Sequence, residues 1–170
     1  MQEDGAMSNY IFALDQSIAC SAWCLFKDKN LAEFGCIKTK KDDGSLFERV
    51  GHVTINLFDA AKCNWSNTLF CREGLGFGGS NSNASRDLAY LVGAIETVFG
   101  EQFKEVAPTA LKKFATGSGK ADKQDMINAL PEDIKQKFLD AGFKKTTGLS
   151  DLADAYFIGK YFMQEGYIYS

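Results

Sequence analysis

Proline and histidine are scarce in this 170-residue chain, which holds two prolines and one histidine. His52 lies inside a helical stretch, far in sequence from the acids discussed below, and is not assigned as a base. With Cys20 and Cys24 it has the wrong ligand spacing for zinc. No apolar run reaches the roughly 18 residues that a membrane-spanning helix needs, so no membrane association is expected. The first ten residues are polar and acidic, without the basic start and apolar stretch of an export signal. The five cysteines (Cys20, Cys24, Cys36, Cys63 and Cys71) are odd in number, and no pair has C-x-x-C spacing. They read as reduced thiols of a cytoplasmic protein, mostly small hydrophobes within apolar stretches.

An excess of positive charge is also missing. The net charge is -3, from 19 basic and 22 acidic side chains, which does not suit a nucleic-acid coat. It leaves a nuclease open, because a carboxylate cluster is counted in that total and bound cations would offset it. Residues 104–123 differ from the average: Lys104, Lys112, Lys113, Lys120 and Lys123 stand against Glu105 and Asp122. What is plentiful is ordinary globular material, 45% hydrophobic and 24% charged residues. The length suits one core. Residues 1–8 read as a loose tail and 9–170 as a single domain, without internal repeat or long linker.

Residues 9–15 form a nearly continuous apolar run, as expected of a strand buried on both faces, and the run ends on Asp15. Residues 18–26 read as a second strand, and 31–39 as a third beyond the polar turn 27–30. Such short connections predict an antiparallel three-strand meander. Residues 45–62 read as a helix, with Ser45 and Glu48 at capping-box spacing. Leu46, Val50, Val53, Leu57 and Ala61 recur at helical intervals within it. A fourth strand, 68–73, ends on Glu73 and is followed by a Gly/Ser/Asn loop, 74–83. Helix 84–99 and strand 103–107 come next. Pro108 opens a helix through 114, 122–130 is helical, and Pro131 starts another to about 141. Ser150 is placed as the cap of a last helix that runs to about 163. The expected fold is therefore α/β: a five-stranded mixed sheet, a meander followed by alternating strands and helices, flanked by helices.

Four acids stand out within this order. Asp15 and Glu73 sit where apolar strands stop, and neighbouring strands would bring them to one edge of the sheet. Asp151 and Asp154 are expected in the first turn of the last helix, three apart and on one face. Each has a plain reading by itself: a turn former, a solvated acid, a first-turn acid. If all four converge, two carboxylates ~4 Å apart repel by roughly 4 kcal/mol at an effective dielectric near 20. Divalent cations would relieve that repulsion. All-oxygen ligands suit Mg²⁺ or Mn²⁺, and a pair of such ions can activate water and stabilise the leaving oxygen of a phosphodiester.

Ile11-Phe12-Ala13-Leu14-Asp15-Gln16-Ser17, followed by Trp23, resembles the first strand and turn of RuvC-type Holliday junction resolvases. Gly35-Cys36-Ile37-Lys38-Thr39-Lys40 is similar to that family's third strand, and Phe70-Cys71-Arg72-Glu73 to the strand carrying its second acid. Lys112 and Lys123 resemble the family's two functional lysines, and Asp151-Leu152-Ala153-Asp154-Ala155 its terminal helix. The ordered set covers roughly residues 9 to 165. The resemblance implies an RNase H-like fold, a homodimer, and Mg²⁺-dependent (or Mn²⁺-dependent) cleavage of two like strands at a four-way DNA junction. It implies that Asp15, Glu73, Asp151 and Asp154 hold two metal ions. Lys112 and Lys123 would contact DNA near the scissile phosphate, and Lys123 would also stabilise charge there. Lys113 and Lys120, on the same lysine-bearing segment, are placed at phosphates with them. Family members often carry an aromatic wedge about three residues after the second acid. Here Gly76 stands at three and Phe77 at four, so Phe77 is the candidate wedge and junction selectivity is open.

Two other motifs compete for this sequence. Gly74-Leu75-Gly76-Phe77-Gly78-Gly79 matches G-x-G-x-x-G, but the helix after it begins too late to meet a pyrophosphate. The expected acid about 20 residues on is not clear, since Glu96 lies inside a helix. Gly117-Ser118-Gly119-Lys120 fails as a P-loop: Phe114 stands where glycine is required and Ala121 where Ser or Thr is. The remaining alternatives are an RNase H-like nuclease for other branched or flap DNA or RNA–DNA hybrids, and a non-catalytic nucleic-acid-binding module.

Overall fold

The computed structural model describes residues 9–61, 67–75, 83–100 and 103–166. Five strands form one mixed sheet: β1 (Tyr10–Asp15), β2 (Cys20–Lys27), β3 (Asn30–Lys38), β4 (Thr68–Glu73) and β5 (Lys104–Val106). Their order across the sheet is β3-β2-β1-β4-β5. β1–β2 and β2–β3 pair antiparallel, whereas β1–β4 and β4–β5 pair parallel. The β2–β3 hairpin closes on Asp28 and Lys29, both with positive φ (48° and 72°). That is the backbone of a two-residue primed turn, whose twist matches the strands it joins.

Among the described residues six α-helices accompany the sheet: α1 (Leu46–Ala60), α2 (Asn83–Phe99), α3 (Pro108–Thr116), α4 (Lys123–Ala129), α5 (Glu132–Asp140) and α6 (Leu149–Gln164). The α1 start is built as its sequence predicts. The Ser45 hydroxyl accepts from the Glu48 amide, and the Glu48 carboxylate accepts from the Ser45 amide at 2.7 Å. Asp122 caps α4 in the same reciprocal way with Asp125. A short 3-10 turn, Lys41–Asp43, precedes α1 and has no signal in the periodicity.

Strand alternation sorts the core into two layers. Phe12 and Leu14 of β1 join Val53, Leu57, Leu91 and Ile95 on the α1–α2 side. Ile11 and Ala13 join Leu152, Ala155 and Ile158 on the α6 side. The sheet is thus covered on both faces, which accounts for the unbroken apolar run of β1. Gly159 lets α6 lie directly against β2, because a Cβ there would collide with the Phe26 ring. No described helix is long and apolar enough to cross a membrane.

The start of α6 departs from expectation. Ser150 does not cap it: the N-cap is Gly148, in the left-handed region at φ 108°, and Ser150 is buried inside the first turn. A side chain at position 148 would be strained at that φ and would meet the Cys36 sulfur at 2.9 Å. The helix therefore begins earlier than predicted, with Asp151 in its first turn and Asp154 in its second.

Candidate active site

β1 and β4 run parallel in the register Leu14–Arg72, and the next residue on each is an acid, Asp15 and Glu73. Two residues back, Ala13 and Cys71 lie in the α6-side layer, so alternation turns both acids toward α6. That helix brings Asp151 and Asp154, one turn apart. The four acids predicted from sequence therefore act on one another. Burial, then the charges of Asp154, Asp151 and Glu73, push the Asp15 carboxyl well above its usual range. Burial first, then Glu73 and Asp151, push Asp154 up to about 7, while Lys123 and Lys112 pull it down. Glu73 is also raised by burial, against the pull of Lys112.

The lysines arrive from the helices between β5 and α6. Lys123 is the first residue of α4, and its Nζ lies 4.0 Å from Asp151 Oδ1. Lys112 lies on α3 and acts on Glu73, Asp154 and Asp122. Lys113 and Lys120 are exposed, on α3 and in the turn before α4. Phe77 lies outside the described residues. His52 is exposed on α1, where it borders a polar cavity with Thr39, Asp43, Glu48 and Arg49. None of Asp15, Glu73, Asp151 and Asp154 lines that cavity.

Among solved structures, a Thermus thermophilus RuvC structure matches with a TM-score of 0.63 at 18% identity, over 92% of this chain and 96% of that one. T. thermophilus RuvC in complex with a Holliday junction substrate matches with a TM-score of 0.66, also at 18% identity, over 93% and 96% of the two chains. The chain has the RuvC fold. No protein-family model and no curated protein matches the sequence.

On this RuvC-like framework the donor set fits a hard divalent cation by its chemistry. It consists of carboxylate oxygens whose mutual repulsion a cation would relieve. A buried amide oxygen beside them, Gln16 Oε1, has no partner. Among the described residues, no three Asp, Glu, His or Cys side chains are closed on a single ion position. The acids thus converge as interacting charges rather than as a finished coordination shell.

Three residues of this region went unmarked in the sequence. Gln16 is buried and donates from Nε2 to the Glu73 carbonyl at 3.4 Å. The Cys20 thiol is acted on by Cys36 and Asp151, and Cys36 is the main influence lowering its pKa. Arg72 is buried behind Glu73, held by Glu96 at 2.5 Å and Glu105 at 2.7 Å. For Gln16 the only signal was adjacency to Asp15. Cys20 and Arg72 carried none, because their partners come from other strands and helices.

Proposed function

We propose that this chain is a divalent-metal-dependent endodeoxyribonuclease that resolves four-way DNA junctions by phosphodiester hydrolysis. The observation that carries the reading is the convergence of Asp15, Glu73, Asp151 and Asp154, with Lys112 and Lys123 beside them, at one edge of a RuvC-like sheet. Asp15, Glu73, Asp151 and Asp154 would hold two Mg²⁺ or Mn²⁺ ions. Bound there, such ions supply an activated water and charge stabilisation at the leaving oxygen.

The chain's own residues do the rest. Lys123 exposes most of its side chain and can pair with the scissile phosphate while staying near Asp151. Lys112 sits deeper and holds the acids toward their charged forms. Exposed Lys113 and Lys120 give non-specific contacts to neighbouring phosphates. Phe77 keeps its place as candidate wedge on sequence grounds alone.

A four-way junction offers two like strands, which suits a two-fold symmetric dimer with two such sites. Exposed apolar side chains on α1 (Phe47, Ile55, Phe58) and α2 (Tyr90, Val98) support an interface on that side of the sheet, away from the acids. The RuvC seen with a Holliday junction substrate motivates the choice of substrate.

The deciding experiment is cleavage of a synthetic mobile four-way junction with Mg²⁺ or Mn²⁺, with forks, flaps and RNA–DNA hybrids alongside. The junction should be cut in preference, and Asp15→Asn should bind it without cutting. Preferential cutting of forks or hybrids would reassign the substrate, and full cutting by Asp15→Asn would remove the metal assignment.

A further inference from the structure

The amide of Gln16 has one half in use and one half idle. Its Nε2 donates to the Glu73 carbonyl at 3.4 Å. The reverse orientation would set oxygen against oxygen, so the amide is fixed with Oε1 on the other side. That oxygen is enclosed and has no hydrogen-bond partner, on a residue only 8% exposed. An enclosed acceptor without a donor is unfavourable and rare in folded proteins.

Gln16 lines a cavity of about 190 Å³ with Asp15, Glu73, Gly74, Leu75 and Leu88. Leu75 and Leu88 bring no side-chain donor, and the two acids bring only acceptors when ionised. No described side chain of that lining supplies the missing partner, and a group from outside the chain that does so must suit the amide oxygen and both acids at once. The oxygen is almost closed to solvent, which excludes the edge of a nucleobase and leaves a small partner as the one to meet it.

We propose that Gln16 Oε1 is a neutral oxygen donor to the hydrated divalent cation held at Asp15 and Glu73, reached directly or through one of the cation's waters. This rests on the nuclease reading above and extends it by one residue. An amide oxygen suits that place. It is a hard donor, as Mg²⁺ and Mn²⁺ prefer, and it adds no charge to a cluster already carrying four carboxylates. The bond from Nε2 to the Glu73 backbone aims it, as outer hydrogen bonds aim ligands elsewhere.

The test uses the metal-stripped full chain without DNA, titrated with Mn²⁺ by calorimetry and melted with and without the ion. Gln16→Met keeps the volume and removes the hard donor; Gln16→Glu keeps an oxygen. Gln16→Met should bind Mn²⁺ about tenfold more weakly, with a metal-free melting temperature close to wild type because removal of the orphaned acceptor offsets loss of the Nε2 bond to Glu73. Gln16→Glu should bind at least as tightly as wild type. Wild-type affinity in Gln16→Met overturns the assignment, as does a lower metal-free melting temperature in that variant, which marks a merely structural role. Weaker binding by Gln16→Glu overturns it too. Asp15→Asn separates the two levels. If it loses Mn²⁺ while Gln16→Met does not, only the Gln16 assignment falls; if wild type itself binds no Mn²⁺, the nuclease reading falls with it.

Discussion

Arg72 and Glu73 are consecutive on β4 and serve opposite faces of the sheet. Arg72 is 3% exposed, donates to Glu105 at 2.9 Å through Nε, and lies over the Phe103 ring at 5.4 Å. Its Nη2 also reaches Glu96, so one guanidinium ties β4 to both α2 and β5. Glu73 faces the other way, toward Asp15 and Asp154. The charge that anchors the strand end and the charge that does the proposed chemistry are thereby kept apart by the backbone.

Arg72→Met should destabilise the fold by about 2 kcal/mol, below the usual loss for breaking a fully buried pair because Glu96 and Glu105 keep contact with water. Denaturant midpoints for wild type and variant check it. An unchanged midpoint would show that the ion pairs do not anchor β4.

Asp15→Asn should lower junction cleavage by at least about 1000-fold and, without metal, raise the melting temperature. The gain follows because the substitution removes one of four mutually repelling acids, whose pairwise repulsion is on the order of a few kcal/mol. A variant that loses both activity and metal-free stability would contradict the repulsion argument.

Without divalent ions, stability should fall as pH rises from about 4 toward 7. The carboxyls of Asp15, Glu73 and Asp154 are held above their ordinary range, so the folded chain binds their protons more tightly than the unfolded chain does. Their contribution is full below the unfolded carboxylate range near 4 and is lost through the Asp154 value of about 7. Melting in chelator from pH 4 to 8, for wild type and Asp154→Asn, isolates this slope. It should be shallower in the variant and reversed in sign or flattened by Mg²⁺.

Lys123→Ala should reduce cleavage about 100-fold while leaving the fold intact, since the side chain is mostly exposed and its nearest charged partner is 4.0 Å away. The log–log salt dependence of junction binding should lose about one unit of slope. Filter binding across a salt series and single-turnover cleavage measure the two effects separately.

Gly159→Ala should cost about 1 to 3 kcal/mol by driving α6 away from Phe26. It should also lower cleavage, because Asp151 and Asp154 ride on the same helix. Thermal melting and the cleavage assay together check it, and a wild-type melting curve would place the close approach elsewhere.

Much of this was legible in local pattern. The apolar run of residues 11–14 ending on Asp15, the Ser45–Glu48 box and the strand ending on Glu73 each carry their own physical reason, and each element formed. So did the five strands and the three-strand meander. Local pattern holds no information about which strand pairs with the other edge of β1, because that partner is distant in sequence. The parallel pairing of β1 with β4 is decided by two helical layers covering both faces at once, and only that pairing sets Asp15 beside Glu73. The start of α6 was misplaced for a similar reason. Ser150 has the chemistry of a cap, but Gly148 alone accommodates the left-handed turn pressed against Cys36. The idle oxygen of Gln16 and the opposed directions of Arg72 and Glu73 exist only once distant segments have packed, because a side chain's unmet partner is a property of its surroundings and not of its neighbours in sequence.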